Sequence, residues 1–538
     1  MNDVVNRTDR QGGLRLRTVA LGGSALSRAV QHGTVGASWY APRPATPAAW
    51  CAHVQAVRNR VAGRDWLSPL AAAFAATGAA AERLSRAAAS GVLVTTGQQP
   101  GLFGGPTYTW SKALSALALA DVLERETGTP VAPVFWAATD DADWMEAAVT
   151  HIASARGLQT LTLSGAPTEG VAMADVPLGD LREVRTTLAT ACGSSAHADV
   201  LAHVDAAYVP HATIGAAYVQ FLRALLEPLG IAVLDAAHPA LRMAADPLLR
   251  EALRRAPAVR DGLRARATDI ERTGHAPQVD VVDDLALVFR TQQATRDGEV
   301  ARVRERVPVA EAAAVAREAE VGTLGANVLL RPVLERALLP TVCYLAGPGE
   351  LAYFAQVEPV ATALGAASPV VAPRWACELV DADALALLER LGLDEADLRD
   401  PHVAERRVAR AQLDSNVADM LERLRVTLDA QVHALQDVLG GERAPVADDV
   451  VNGLARDLGH RLDRFERRVL AGVKRRDSEA MREVAVVRAA LRPLGQSPER
   501  VLNLVPFLVR YGPDLLQQMR AEAEGHARQL VTESATAP

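Results

Sequence analysis

The feature that most restricts the fold is an apolar repeat in the C-terminal third of the 538-residue chain. Apolar residues recur every three or four positions in two runs, and a Gly- and Pro-containing break at 440–445 separates them. This spacing predicts two long helices paired as an antiparallel coiled-coil hairpin, with arms of about 50 to 60 Å at about 1.5 Å per residue. The repeat consists of Leu413, Val417, Leu421, Leu424, Leu428, Val432, Leu435 and Leu439, then Leu454, Leu458, Leu462, Phe465, Val469 and Val473.

Before this hairpin, short apolar runs alternate with helical patterns. Strand-like runs begin near 92, 131, 231, 338 and 368. Strands that alternate with helices predict an α/β fold with a Rossmann-like, doubly wound parallel sheet. We expect a core at 1–380 with insertions at about 150–210 and 240–330, a hairpin domain at 381–496, and a segment at 497–538 that is apolar enough to return to the core.

A glycine-rich loop connects the first strong strand to a helix within residues 91–112. Four glycines follow the strand, and Lys112 stands near the start of the helix. Glycines allow positive φ and close approach to a bound group, so their amides are expected to form an anion-sized cradle with Lys112 in the first helical turn. A set of tight turns with no ligand explains the pattern equally well. The glycines are Gly97, Gly101, Gly104 and Gly105.

The second strand, at 131–138, is followed by a cluster of acidic residues that includes Asp140, Asp141, Asp143 and Glu146. Carboxylates at the carboxyl end of a strand are well placed to contact a ligand at the edge of an open sheet. Acidic residues also cap the next helix and stabilise it through its dipole. Both roles are compatible here, because capping needs only some of the acids.

Composition excludes several classes of protein. With a formal net charge of −7 and 22% charged residues, the chain has no basic surface for nucleic acid. No run of about 18 apolar residues predicts a membrane span, the first residues do not resemble a signal peptide, and we expect a cytoplasmic protein. Cys51, Cys192, Cys343 and Cys377 are scattered without metal-site spacing, so reduced thiols are expected. Lys112 and Lys474 are the only lysines.

Several motifs resemble one known family. They are TTGQQPGLFGGPTYTWSKA, FWAATDDADW, LLRPVLERALLPTVCYLAGPGELAYFAQ, VVAPR and ERVLNLVPFLVRYG. In this order they resemble the bacillithiol biosynthesis cysteine-adding enzymes of the BshC type, across nearly the whole chain. The resemblance implies a Rossmann-like core, a coiled-coil domain, dimerisation, and a ligase that joins cysteine in amide linkage to the amino group of glucosaminyl-malate.

The resemblance also implies a set of site residues. The family motifs fall on Gly97, Gln98, Gln99, Gly101, Gly104, Gly105, Tyr108 and Lys112, on Asp141 and Asp143, and on Asn327, Arg331, Gly347, Gly349, Glu350, Tyr353 and Arg374. One position departs from the family. Where the family has Glu-Asp-His-Asp, this chain has Asp140-Asp141-Ala142-Asp143, so a histidine is missing.

Amide formation gives these residues chemical roles. A carboxylate must be activated before an amine attacks it, most simply by ATP, and the glycine cradle with Lys112 suits the phosphate charge. Asp141 and Asp143 suit an ammonium group or Mg²⁺. Arg331 and Arg374 suit the malate carboxylates, although ordinary surface salt bridges explain each of them equally well.

Two further expectations concern activity and assembly. The missing histidine favours an alternative function, a non-catalytic or regulatory protein that binds a nucleotide or metabolite and uses the coiled coil to contact a partner. Val426, Val438 and the segment 484–487 place apolar groups outside the hairpin seam. Such a patch predicts a homodimer with an interface between 400 and 495.

Overall fold

The computed structural model describes residues 6–8, 13–193, 197–296, 299–439 and 446–532, so the break predicted at 440–445 lies outside the described residues. The strands in this part of the chain are β1 (Asn6–Thr8), β2 (Leu14–Thr18), β3 (Val92–Gln98), β4 (Val131–Ala137), β5 (Val149–Ser154), β6 (Gly157–Thr162), β7 (Ala232–Asp235), β8 (Leu285–Arg296), β9 (Glu299–Pro308), β10 (Leu324–Ala326), β11 (Thr341–Ala346), β12 (Val371–Pro373) and β13 (Cys377–Asp381).

The α-helices of the same residues are α1 (Ala25–Gln31), α2 (Pro47–Val61), α3 (Ala71–Phe74), α4 (Gly78–Ser90), α5 (Thr107–Thr127), α6 (Trp144–Ala147), α7 (Arg182–Cys192), α8 (Asp199–Ala207), α9 (Ile214–Leu226), α10 (Pro239–Arg254), α11 (Ala256–Arg272), α12 (Ala312–Glu318), α13 (Arg331–Leu338), α14 (Pro348–Phe354), α15 (Val357–Ala363), α16 (Ala382–Arg390), α17 (Pro401–Ala411), α18 (Ser415–Leu439), α19 (Asp448–Arg476), α20 (Ser478–Leu491), α21 (Pro498–Val501), α22 (Val505–Tyr511) and α23 (Asp514–Thr532). None of these described helices is long and apolar enough to cross a membrane.

The chain divides into two compact units. The first comprises the described residues of Met1–Ile152, Thr160–Leu379 and Glu499–Pro538. The second comprises Ala153–Gln159 and the described residues of Val380–Pro498. The C-terminal residues after Glu499 therefore pack within the first unit, where α23 lies against α5.

The first unit contains a five-stranded parallel sheet in the order β12-β11-β3-β4-β7. Of these five strands, β3 comes first in the chain and lies in the centre of the sheet. Numbered 1 to 5 in chain order, the strands of this sheet follow the 3-2-1-4-5 order of a Rossmann fold. The predicted α/β, doubly wound parallel sheet is confirmed. The strand order reverses between β3 and β11, and open sheets bind ligands at the carboxyl ends of strands at such a point.

Side chains of the central strands alternate between two apolar cores, one on each face of the sheet. Val92 and Val94 pack into one core, and Leu93 packs into the other. In β4, Phe135 joins the first core while Trp136 joins the second. Both faces are thus covered, which explains why β4 is apolar throughout and β3 begins with three consecutive apolar residues rather than an alternating pattern.

A smaller antiparallel sheet, β10-β8-β9, comes from the region predicted as the second insertion. In this sheet Phe289 of β8 is paired directly with Arg306 of β9. Val303 and Val307 of β9 are buried on one face of the strand, so Arg304 and Arg306 lie on the opposite face.

The second unit contains the predicted helical hairpin. Gln436 contacts Asn452 and Arg425 contacts Asp463, so α18 and α19 run antiparallel. Val432 and Leu462 are buried within the unit. The helices have 25 and 29 residues, or about 38 and 44 Å at about 1.5 Å per residue. The predicted arm length of 50 to 60 Å is therefore too long for the described helices. Helix α18 begins at Ser415, after Leu413, and α19 ends at Arg476, because Asp477 caps the separate helix α20.

Candidate active site

A cavity of about 820 Å³ lies at the carboxyl ends of β3, β4 and β11. Its wall includes Gly97 at the end of β3, Ala138 after β4 and Gly347 after β11. The cavity is therefore at the reversal point of the strand order, where the fold favours ligand binding. The predicted site residues that line it are Gly97, Gln98, Gln99, Tyr108, Lys112, Asp141, Asn327, Arg331, Gly347, Gly349, Glu350, Tyr353 and Arg374.

Lys112 and Glu350 form an ion pair across the reversal point. The Nζ of Lys112 lies 2.6 Å from Oε2 of Glu350 and donates to the carbonyl oxygen of Gly97 at 2.8 Å and to Oε1 of Gln98 at 2.9 Å. Glu350 also accepts from the hydroxyl of Tyr344 and the amide of Gly347, both at 2.6 Å. Burial alone raises the pKa of Glu350, but the Lys112 charge and these hydrogen bonds bring it below its usual value, so the carboxylate stays ionised.

This arrangement corrects the expected environment of Lys112. Helix α5 begins at Thr107, so Lys112 lies in its second turn, and its side chain is only 4% exposed. The prediction that Lys112 lies in the first turn was wrong. Because the three donors of the ammonium already have protein acceptors, Lys112 joins β3 to the β11–α14 turn.

Arg331 and Arg374, predicted to bind substrate carboxylates, are paired with buried glutamates. Arg331 lies 2.9 Å from Glu335, whose other oxygen accepts from Thr95. Arg374 makes a two-pronged contact with Glu499 at 2.7 and 2.9 Å. Glu499 accepts from both terminal nitrogens of Arg374, whereas Arg331 donates to Glu335 through one terminal nitrogen and to the hydroxyl of Tyr353 through the other. Neither residue therefore presents the predicted free fork to a substrate. The Nε of Arg374 is buried and has no hydrogen-bond partner among the described residues.

The glycine loop is a structural turn rather than an amide cradle. The amide of Gly104 donates to the carbonyl of Gly101 and to the hydroxyl of Tyr208, and the amide of Gly105 donates to the carbonyl of Leu102. The amide nitrogen of Asn503 donates to the carbonyl oxygens of Leu102, Phe103 and Gly105. Gly101, Gly104 and Gly105 are buried outside the cavity wall, so the predicted cradle is wrong for these glycines.

The two predicted aspartates occupy different environments. Asp141 lines the cavity, where burial raises its pKa and the charge of Asp140 raises it further. Asp143 instead caps α6, because its Oδ1 accepts from the amide of Glu146 at 3.1 Å. The acidic segment thus supplies both a site carboxylate and a helix cap, the combination that the sequence left open. Ala142, which replaces the family histidine, also lines the cavity.

Glu146 is a site carboxylate that the sequence reasoning left unassigned. One oxygen accepts from Tyr108 at 3.0 Å and from Gln98 at 3.3 Å, and the other accepts from Gln99. Burial raises the pKa of Glu146, and the charges of Asp143 and Asp141 also raise it, while the Tyr108 hydrogen bond opposes the shift. The signal was its position in the same acidic segment, four residues after Ala142.

Two other predicted residues support the local structure. Oδ1 of Asn327 accepts from the amides of Leu329 and Leu330 before α13, and the hydroxyl of Tyr353 accepts from Arg331 at 3.4 Å. Among the described residues, no group of three or more His, Cys, Asp or Glu side chains is arranged to hold a metal ion.

Comparison with known proteins identifies the family. A family model described as the N-terminal Rossmann-like domain of bacillithiol biosynthesis BshC matches residues 30–375. A second model, for the C-terminal coiled-coil domain of BshC, matches residues 378–531. The chain belongs to the BshC family.

Individual BshC relatives agree with this assignment. A protein of Solibacter usitatus is 32% identical over 447 residues, which cover 80% of this chain and 82% of the relative. A protein of Koribacter versatilis is 30% identical over 453 residues, which cover 81% of this chain and 82% of the relative. A protein of Bacillus cereus is 26% identical over 456 residues, which cover 79% of this chain and 81% of the relative. Each of these three BshC proteins is named "Putative cysteine ligase BshC".

Proposed function

We propose that this chain is the cysteine ligase of bacillithiol biosynthesis, joining the carboxyl group of cysteine to the amino group of glucosaminyl-malate. The observation that carries the proposal is the cavity at the strand reversal point, which is lined by most of the motif residues shared with the BshC family. Its wall combines carboxylates, which suit an amine, with arginines, which suit carboxylates.

Asp141 and Glu146 have separate roles in the proposed reaction. Asp141 binds the ammonium form of the acceptor amine. Glu146 takes one proton from this ammonium group, which frees the nitrogen lone pair to attack the activated carboxyl carbon. The activating phosphate or nucleotide group leaves with the electrons of the C–O bond, and the second nitrogen proton passes to solvent. Burial raises the pKa of Glu146, which makes it a better base. The hydrogen bonds from Tyr108, Gln98 and Gln99 hold this carboxylate in one orientation. Glu146 thereby replaces the missing histidine at position 142.

We propose ATP as the group that activates the cysteine carboxyl, because amide formation from a free carboxylate in water is unfavourable. The glycine loop does not fit the phosphates, since the Gly104 and Gly105 amides donate within the protein. The buried, unpartnered Nε of Arg374 is the donor at this edge that fits an anionic oxygen. Mg²⁺ would enter with the nucleotide, because Mg²⁺ commonly combines one or two carboxylates with phosphate oxygens.

A direct assay tests this function. Purified full-length protein is incubated with cysteine, glucosaminyl-malate and ATP, and the amide product is detected by mass. Product that requires all three compounds is expected, and Asp141→Asn should reduce its formation while Lys474→Met, in the second unit, should not. Product that forms without ATP would contradict the activation proposal alone.

Absence of product would support the non-catalytic alternative, which the alanine at position 142 favours. In that case the protein would bind a nucleotide or metabolite in the same cavity without turnover. Binding of ATP or cysteine, measured by calorimetry on the same preparation, separates this function from an inactive sample.

We also propose a homodimer formed through the helical hairpin. Four large apolar side chains of this unit are more than half exposed, namely Met420, Val426, Val438 and Phe465. So much exposed apolar surface is unusual for a hairpin surrounded only by solvent. Burial of this apolar surface against a second copy, related by a two-fold axis, is the simplest arrangement. The expected contribution of Val484 and Val487 was wrong, because both are buried in the core of their own unit.

A further inference from the structure

Several arginines on the cavity wall are not used by the proposed reaction, and three of them lie on β9 and α10. Arg304 and Arg306 come from β9, and Arg242 comes from α10. Arg302, Arg304 and Arg306 alternate with Val303 and Val307, so they share one face of the strand. This alternation is the sequence signal that was overlooked.

Phe289 holds the two β9 arginines in place. It is directly opposite Arg306 in the β8–β9 pair, and its ring centre lies 4.4 Å from the guanidinium carbon of Arg304 and 5.9 Å from that of Arg306. Arg304 also donates to the carbonyl oxygen of Asp140. Contact of both guanidinium groups with one ring helps to fix the direction of both side chains without neutralising their charge.

The positive charge of this group is incompletely compensated. Among the described residues, no carboxylate lies within ion-pair distance of Arg306 or Arg242, and Asp141 is 4.0 Å from Arg304. Burial lowers the pKa of Arg242, with the charges of Arg302 and Arg304 also lowering it and Asp140 opposing. By contrast, Arg331 and Arg374 are each paired with a glutamate.

We propose that Arg242, Arg304 and Arg306 form a subsite for a small dicarboxylic acid group. On the proposed function, on which this identification rests, the group is the malate part of the acceptor substrate. Two carboxylates separated by two carbons can engage different guanidinium groups at once, which a single carboxylate cannot do. Asp141, beside Arg304, then lies near the acceptor's amine, so one substrate spans the acidic and basic parts of the wall.

Calorimetry on the full-length protein tests the subsite with L-malate as the probe. Arg306→Gln should weaken malate binding about 10-fold or more, since a charge-assisted hydrogen bond is lost. Arg306→Lys should recover part of the affinity. Arg302→Gln is the matched control, because Arg302 is on the same strand face but does not line the cavity, and it should bind malate like the wild type.

Two results would overturn the subsite. One is equal malate binding by the wild type and Arg306→Gln. The other is inorganic phosphate binding that depends on Arg306 while malate binding does not, which would assign the arginines to a phosphate group.

Ligation kinetics separate this inference from the proposed function. If both hold, Arg306→Gln raises KM for glucosaminyl-malate with little change in kcat. An unchanged KM in an active enzyme overturns the subsite alone. Malate binding that depends on Arg306 in a protein with no ligase activity overturns the proposed function and leaves the subsite intact.

Discussion

The ion pair between Lys112 and Glu350 shows how a motif residue can serve structure and site together. Lys112 lies in α5, which follows β3, and Glu350 lies in α14, which follows β11; these two strands flank the reversal point. Taking two charges out of water is costly, and the pair persists because each group has additional hydrogen bonds. Removing one partner leaves the other charge buried and uncompensated.

Lys112→Met is therefore expected to reduce the free energy of unfolding by about 3 to 5 kcal/mol, the cost of breaking a buried pair. Denaturant unfolding measures this loss. Lys474→Met is the control, because Lys474 pairs with Glu405 at 2.7 Å but both side chains are partly exposed, so about 1 kcal/mol or less is expected. Equal stability of Lys112→Met and the wild type would show that the pair contributes nothing to the fold.

Glu146 leads to a prediction about pH. A general base works only when deprotonated, so kcat should fall as pH decreases through the pKa of Glu146, which burial raises above its ordinary value. Glu146→Gln should remove this fall in kcat at low pH, the acid limb of the pH profile, and lower kcat about 100-fold. Asp143→Asn, which changes the α6 cap, should keep the limb. A Glu146→Gln enzyme that retains the acid limb would exclude the residue as the base.

The loop between β3 and α5 is tightly packed, and its neighbours leave no room for a Cβ atom at Gly104. Gly104 has φ of +86°, and a Cβ there would lie 2.7 Å from Trp110 and 3.0 Å from Phe221. Asn503 of the returning C-terminal segment donates to three carbonyl oxygens of this loop. The loop thus shapes the start of α5, which carries Tyr108 and Lys112 into the cavity.

Gly104→Ala is expected to destabilise the protein by about 2 to 5 kcal/mol, combining left-handed strain with overpacking. Gly128→Ala provides a matched control at the other end of α5. Its φ is +63°, but a Cβ would meet open space, so only the strain of about 1 to 2 kcal/mol remains. Thermal or denaturant unfolding of the two variants separates the cost of overpacking from the cost of backbone strain. A similar loss of stability in both variants would refute a packing role for Gly104.

Assembly is the property that depends on the chain as a folded whole. We expect full-length protein to run as a dimer of 57.0 kDa chains by light scattering at micromolar concentration. Met420→Glu with Val426→Glu should give a folded monomer, since charges would face the apolar surface of the second copy. Met243→Glu is the control, because Met243 is 62% exposed on the first unit. A monomeric wild type, or a charged variant that still dimerises, would disprove the hairpin interface.

Local patterns were sufficient to predict the architecture. Short apolar runs such as 92–94 and 131–137, each followed by polar residues, indicated parallel strands and the sheet edge that holds the cavity. The three-and-four spacing indicated the hairpin, because burial of a stripe depends only on helical geometry. Most of the residues that the family motifs named, including Tyr108, Lys112 and Glu350, line the cavity.

Which charges remain available to a substrate was decided largely by tertiary contacts. Arg374 has the same chemistry as Arg304 and Arg306, but it meets Glu499, 125 positions away. The pair of Arg331 with Glu335, four residues later in α13, is the exception, because its spacing can be read from the sequence. Likewise, the fold gave the amide of Gly104 an acceptor in the hydroxyl of Tyr208, 104 positions away. Pairing between distant side chains depends on how the strands are ordered and the helices packed, and no local spacing carries that information.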